Sequence, residues 1–353
     1  MKKELLTASA LAASLVVPGV ASAASMSMSG YSTNGVESQD DDGTGDGAYA
    51  EIQDSGMSVS VSETTDGGVT ISSGFTLINE GSTSATESGL TLTFTDGSSL
   101  ELIDAGSAYA GAMASVPGAS GEQGIGATSD NTSSTSLTWA NKNDGVGFDW
   151  NSAADFAGVD GLTFGLSASF GDDTTSGTDT LNTDESFSVG ATYVTDAGDT
   201  TVTIGGGYIQ SSGSHTGALN DVANSVAVSA SAVTGDLTVG VGFSTGDGLA
   251  QEGNDSVHEI DDVEVMNVGA KYVSGDMTFA VSWKDGSSAS GDLGTAAPSS
   301  QDSQEIVGAS VDYAVASGVT ATLGYSNEDE KVAGSAVASN SGSAIYLGAK
   351  ISF

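Results

Sequence analysis

Two runs of sequence, Met266-Asn267-Val268-Gly269-Ala270-Lys271-Tyr272 and Met277-Thr278-Phe279-Ala280-Val281-Ser282-Trp283, are joined by Val273-Ser274-Gly275-Asp276. In both runs every second residue is apolar, and the residues between are mostly small or polar. A period of two sends the two sets to opposite faces of a β-strand, and a Ser-Gly-Asp link is short enough for an antiparallel hairpin. The pattern recurs downstream in Val307, Ala309, Val311, Tyr313, in Val319, Ala321, Leu323, Tyr325 and in Ile345, Leu347, Ala349, Ile351, Phe353. Upstream it appears in Met57, Val59, Val61, in Leu90, Leu92, Phe94, in Leu162, Phe164, Leu166 and in Val226, Val228, Ala230. With Val69, Ile71, Phe75, Leu77, with Leu100, Leu102, with Phe187, Val189, Ala191, Tyr193, with Val202, Ile204, Tyr208, with Leu237, Val239, Val241, Phe243, and with an opening run at Met26 and Met28 and a sixth at Leu137 and Trp139, the count is sixteen strands. Val146, Phe148 and Trp150 alternate as well, so residues 142–161 read as an extended, bulged part of strand six.

The connections alternate between short and long. Links at 64–68, 96–98, 196–199, 234–236, 274–276 and 316–318 are short, whereas 39–54, 80–88, 105–134, 172–184, 211–223, 246–263, 286–304 and 327–343 are long and hold most of the acid. On the apolar face, Phe170, Tyr208, Phe243, Trp283 and Tyr325 mark one end of the strands, and Tyr193, Tyr272, Tyr313 and Phe353 the other. Two aromatic rings bounding an aliphatic band suit a lipid-facing exterior. The expected fold is all-β: a transmembrane antiparallel barrel over 24–353, with long extracellular loops and short periplasmic turns. Strands one to five are poorer in aromatics, so their outer face is expected to pack on another subunit.

Composition narrows the function. The chain has 353 residues with 46 Asp and Glu against 7 Lys, no Arg and no Cys, for a formal net charge of −39. Nucleic-acid binding is excluded, because phosphate affinity needs cations. The lack of Cys excludes disulfides, thiolate zinc sites and Cys nucleophiles. Lys2 and Lys3, the apolar stretch from Leu5 to Val20 and Ala21-Ser22-Ala23 read as a signal peptide over 1–23, cut between Ala23 and Ala24. The barrel is therefore expected in the outer membrane of a Gram-negative bacterium, in contact with its lipid.

The leader Met1-Lys2-Lys3, the strand Ser25-Met26-Ser27-Met28-Ser29-Gly30 and the hairpin from Val59 to Phe75 around Thr64-Thr65-Asp66-Gly67-Gly68 carry a family likeness. So do Leu100-Glu101-Leu102, running into a long loop, and the terminal Tyr346-Leu347-Gly348-Ala349-Lys350-Ile351-Ser352-Phe353. With these features the chain resembles the general-diffusion porins of alphaproteobacteria. The resemblance implies a sixteen-stranded homotrimer passing small hydrophilic solutes, a C-terminal Phe353 read by the barrel-assembly machinery, and a loop after strand five folded into the lumen. That loop is 105–134, and its acids and flanks Glu101, Asp104, Glu122 and Asp130 are candidate constriction residues. The family's opposite wall carries a basic cluster, often Arg; here only Lys271, Lys284 and Lys350 fall on the lumen side. A cation-selective pore is the expected consequence.

Asp40, Asp41, Asp42 and Asp46 around Gly43 and Gly45 suit Ca²⁺ by chemistry, or form a solvated acidic mouth; no other cofactor is expected. Glu252, Asp255, Glu259, Asp261, Asp262 and Glu264 form a similar cluster. An outer-membrane hydrolase would have to use His215 or His258, both expected in loops, and no enzyme is expected. A secreted acidic Gly/Ser-rich adhesin or surface-layer-like β protein is the alternative, opposed by the lack of a fixed repeat.

Overall fold

The computed structural model describes residues 24–41, 48–79, 83–103, 106–119, 146–170, 182–214, 221–252, 256–288, 302–331 and 341–353. Alternating sequence becomes strand almost throughout. The strands are β1 (Ser25–Asp41), β2 (Ala48–Thr64), β3 (Thr70–Asn79), β4 (Thr83–Thr93), β5 (Ser99–Leu102), β6 (Val146–Asn151), β7 (Leu162–Phe170) and β8 (Asn182–Ala197). They continue as β9 (Thr200–Ser214), β10 (Asp221–Thr234), β11 (Leu237–Glu252), β12 (Ser256–Ser274), β13 (Met277–Ser288), β14 (Asp302–Ala316), β15 (Val319–Lys331) and β16 (Ser341–Ser352). Each pairs antiparallel with its neighbours in the chain, and β1 pairs with β16 to close the ring. At the seam Gly30 N donates to Phe353 O and Phe353 N to Gly30 O, both at 3.0 Å. Closure leaves no unpaired sheet edge, as a strand structure in a bilayer requires.

The register puts the apolar set outside. Leu347 is 64% exposed, and Val281, Leu323, Ile351 and Phe353 are exposed with it. Tyr193, Tyr272 and Tyr313 toward one end, and Phe170, Phe243 and Tyr325 toward the other, also face out and are exposed, which matches the two expected aromatic rings. A continuous apolar belt of this extent calls for lipid around it.

Tight turns close one end. Gly198-Asp199, Gly235-Asp236 and Gly275-Asp276 each link two strands, with the glycines at φ 68°, 55° and 59°. That left-handed conformation favours Gly and matches hairpin turns that follow the strand twist. In the turn between β4 and β5, Asp96 accepts hydrogen bonds from Ser98 N at 2.9 Å and Ser98 Oγ at 2.7 Å. The hydroxyl and then the amide of Ser98 hold the Asp96 carboxyl below its ordinary value.

Three sequence expectations need correction. Strand six is Val146–Asn151, with Phe148 opposite Leu102 and Trp150 opposite Leu100; Leu137 and Trp139 lie outside the described residues. Residues 152–161 are the following turn, not more strand, and contain a 3₁₀ turn at Phe156–Gly158. There Phe156 stacks on Phe164 at 5.4 Å and meets Trp150 edge-on at 6.3 Å. Several expected long loops are partly strand, since β2 starts at Ala48, β4 at Thr83 and β12 at Ser256. Beyond the lipid the outer face no longer needs apolar residues, so the alternation fades while the hydrogen-bond ladder continues. Residues 1–23, read above as a signal peptide, lie outside the described residues.

Candidate pore and inserted loop

The chain leaves the ladder after β5 at a sharp elbow. Ile103, a β-branched residue, sits at φ 62° and donates from its N to Gly147 O at 3.2 Å. Gly89 on β4 makes room, because a Cβ there would lie 1.6 Å from Ile103 O. From this elbow residues 106–119 run along the inside of the barrel, starting with the single turn α1 (Ala108–Gly111).

The segment is Gly-Ser-Ala-Tyr-Ala-Gly-Ala-Met-Ala-Ser-Val-Pro-Gly-Ala, small enough to lie flush on a wall that is itself small. An added Cβ would lie 2.1 Å from Ala108 O at Gly190, 2.0 Å from Ala112 O at Gly205 and 1.7 Å from Pro117 O at Gly269. Only glycine allows so close an approach. Wall hydroxyls then accept the loop's backbone amides: Ala108 N to Ser167 Oγ at 3.1 Å, Tyr109 N to Ser188 Oγ at 3.1 Å, Ala114 N to Ser229 Oγ at 2.7 Å and Ala119 N to Ser282 Oγ at 3.1 Å. Thr192 Oγ1 donates to Ala112 O at 2.8 Å. An irregular segment needs such partners for its buried peptide groups.

Apolar contact adds to this. Tyr109 and Met113 pack on Ile209, Ala227, Val263 and Val265, which project inward from β9, β10 and β12. Burial pushes the Tyr109 phenol above its ordinary value. The loop therefore lies across β7 to β13 on a face of Gly, Ser and aliphatic residues.

Strands eight places apart in a sixteen-strand ring lie across the lumen, so β14, β15, β16, β1 and β2 oppose β6 to β10. That side is charged. Glu37, Asp54, Asp312, Glu328 and Lys350 are on its lumen face by register. Gln304 Nε2 donates to Glu328 Oε1 at 2.5 Å, Thr322 Oγ1 donates to Asp312, and the Lys350 ammonium lies 5.1 Å from the centre of the Tyr31 ring. Nearer the turn end, hydroxyls line the interior, with Ser25 to Ser62 and Ser27 to Ser60 each at 2.7 Å.

Of the sequence candidates, Glu101 faces the lumen at the elbow, where its Oε2 accepts from Gly106 N at 3.3 Å. Lys271 on β12, Lys284 on β13 and Lys350 on β16 face the lumen on three different strands. Asp104, Glu122 and Asp130 lie outside the described residues. Asp40 and Asp41 end β1 opposite Ser343 and Gly342, while Asp42 and Asp46 lie outside the described residues. Phe353 stands at the seam. His258 is in strand β12 opposite Ala250, not in a loop, and His215 lies outside the described residues. Sequence reasoning missed Glu37, Asp54, Asp149, Asp312 and Glu328. Position alone could have found Asp312, which falls between the outward Val311 and Tyr313, and Asp149, between Phe148 and Trp150.

A closed barrel with a loop folded onto its inner wall is a pore architecture, and a family model described as Gram-negative porin matches residues 7–333. The chain belongs to the Gram-negative porin family. Solved structures share the fold at low identity. A porin refined at 1.8 Å resolution is 15% identical with a TM-score of 0.64, covering 93% of this chain and 100% of its own. OmpF of Salmonella typhi, in complex with daunomycin, is 17% identical with a TM-score of 0.63 and covers 93% and 98%. An anion-selective porin from Comamonas acidovorans is 13% identical with a TM-score of 0.61 and covers 94% and 100%. No curated protein matches the sequence. The porin is thus an outer-membrane channel for passive diffusion and not an enzyme.

Proposed function

We propose that this porin admits small hydrophilic solutes with a preference for cations, and that it works as a homotrimer. The observation that carries the preference is the charge on the lumen face. Carboxylates at Glu37, Asp54, Glu101, Asp149, Asp312 and Glu328 outweigh the ammonium groups of Lys271, Lys284 and Lys350, in a chain with no Arg. Acid-lined pores concentrate cations and repel anions. A neighbour of the same fold is described as anion-selective, so the sign of selectivity belongs to the side chains and not to the barrel.

The outer face of β1 and β2 supports the trimer. Asn34, Glu51 and Gln53 are exposed on the outward register, where other strands carry aliphatic residues, and Asn34 Nδ2 donates to Ser32 Oγ at 3.0 Å. Polar groups at that level are costly against lipid tails and are better placed against protein. A Vibrio cholerae OmpT of the same fold is described in a trimer form. Phe353 is the residue we expect the assembly machinery to read.

Purified protein in a planar bilayer tests the preference. Under a KCl gradient, the reversal potential is expected to lie toward the potassium potential; a value toward chloride refutes it. Crosslinking to trimers through β1 and β2 tests the assembly, and monomers only would refute it.

A further inference from the structure

On the charged side of the lumen, a lysine reaches across the seam that closes the barrel. Lys350 of β16 pairs with Thr33 of β1, and Tyr31, the next lumen-facing residue of β1 toward the turn end, is its diagonal neighbour. Residues so placed are about 7–8 Å apart, within reach of a long side chain and an aromatic ring. The Lys350 ammonium lies 5.1 Å from the centre of the Tyr31 ring. That is inside the roughly 6 Å over which the negative face of a ring attracts a cation.

The ring is itself fixed. Tyr31 is half-buried and pairs with Gly56 of β2, where a Cβ would lie 2.6 Å from its Cε1, 3.1 Å from Cζ and 3.3 Å from Oη. The phenol therefore lies along the wall, in space that a side chain at position 56 would fill. Thr33, which pairs with both Lys350 and Asp54, is only 3% exposed, so the wall at this level is closely covered. A lysine ammonium is a strongly hydrated point charge on a flexible stem. Held only by its stem, it sweeps its charge through the water column; over a ring fixed on the wall, the charge stays at the wall.

The difference bears on which ions pass. Lys350 shares this side of the lumen with Glu37, Asp54, Asp312 and Glu328, and an ammonium projecting into the path opposes the preference that those carboxylates set. We propose that Tyr31 is a positioning residue for ion selectivity, whose ring retains the Lys350 ammonium at the wall and so preserves the cation preference of the path. The inference rests on the cation-preferring reading above.

Two measurements on the purified porin test it. The first treats the protein with a water-soluble amine-acylating reagent and uses peptide mass spectrometry to compare Lys350 with Lys271, an exposed lumen lysine of β12. Tyr31→Leu should speed acylation of Lys350 about threefold and leave Lys271 unchanged, whereas Tyr31→Phe, which keeps the ring face, should stay near wild type. The second records reversal potentials in planar bilayers under a KCl gradient. Tyr31→Leu should lower the potassium-over-chloride preference by about 1.5-fold, and Tyr31→Phe should retain it. Lys350→Met should raise the preference, and adding Tyr31→Leu to Lys350→Met should change nothing further. Single-channel openings show that each barrel has formed, and Tyr31→Gln takes the place of Tyr31→Leu if that variant does not assemble. Equal acylation of Lys350 in wild type and Tyr31→Leu would mean that the carboxylates of that wall, and not the ring, hold the ammonium. An equal loss of preference with and without Lys350 would mean that Tyr31 acts on the path by itself. Either result overturns the proposal. If the wild type reverses toward chloride, the selectivity reading fails, while the acylation contrast still decides whether the ring holds Lys350.

Discussion

The two sides of the lumen are built from the same alternating strands and have opposite inner chemistry. From β7 to β13 the inward positions that touch the loop are Gly, Ser, Thr and aliphatic residues, with the ammonium groups of Lys271 and Lys284 beside them, whereas β14, β15, β16, β1 and β2 place the carboxylates of Asp312, Glu328, Glu37 and Asp54 inward with Lys350. A wall that must accept a peptide segment at backbone distance needs missing side chains and hydroxyls for orphaned amides. A wall that interacts with ions needs fixed charge. The contrast thus separates the part of the lumen that positions the loop from the part that sets the ionic character of the path.

Crowding the loop-bearing wall should have the largest effect. Gly269→Leu would drive a side chain into Pro117 O, and Gly205→Val one into Ala112 O; each should displace the loop and cut single-channel conductance by about twofold or more. Gly206→Ala, on the outward register with its nearest atom at 3.4 Å, should leave conductance unchanged. Neutralising the charged wall comes next. Asp312→Asn combined with Glu328→Gln should lower the potassium-over-chloride preference by about twofold with little change in conductance, whereas Ser188→Ala on the other wall should leave the preference intact.

A smaller effect is expected from a single clip. Ser229→Ala would strip the partner from the buried Ala114 N–H, a local cost of about 1–3 kcal/mol, and should appear as added open-channel noise. The smallest effect lies outside both walls. The folded Asp96 carboxyl is held below its ordinary value by Ser98, so its contribution to the turn is present above that ordinary value and lost as pH falls through the lowered one. Asp96→Ala should therefore lower the thermal midpoint slightly near neutral pH, and the difference should vanish on strong acidification.

Much of the barrel was legible because lipid enforces a period of two. The runs ending at Tyr272, Trp283 and Tyr325 show their outward face in the sequence, and the inward placing of Lys271, Lys284 and Lys350 follows from such alternation. Where the outer face leaves the lipid the rule has no physical basis, which is why the outer parts of β2, β4 and β12 read as loop. The alternation of Val146, Phe148 and Trp150, read above as an extension of strand six, is the strand itself, while Leu137 and Trp139 lie outside the described residues. The wall beneath the loop left a fainter trace. Ile209 beside Tyr208, and Val263 and Val265 beside Met266, make both faces apolar, a sign that something covers the inner one. The pairing of Glu101 with Asp149 depends on the register of two strands separated by a long loop, and strand alternation alone does not give that register.

The position of the loop on the glycine- and serine-rich wall can be tested most directly with thiol chemistry, since the chain contains no cysteine. Ser229→Cys places a thiol beneath the loop, and Ser27→Cys places one on the exposed lumen face near the turn end. A charged, water-soluble thiol reagent should modify the Ser27→Cys porin and reduce its current, while the Ser229→Cys porin should react about a hundredfold more slowly, as protected sites do. Equal rates at the two positions would mean that the loop does not lie where the glycines and serines of that wall place it.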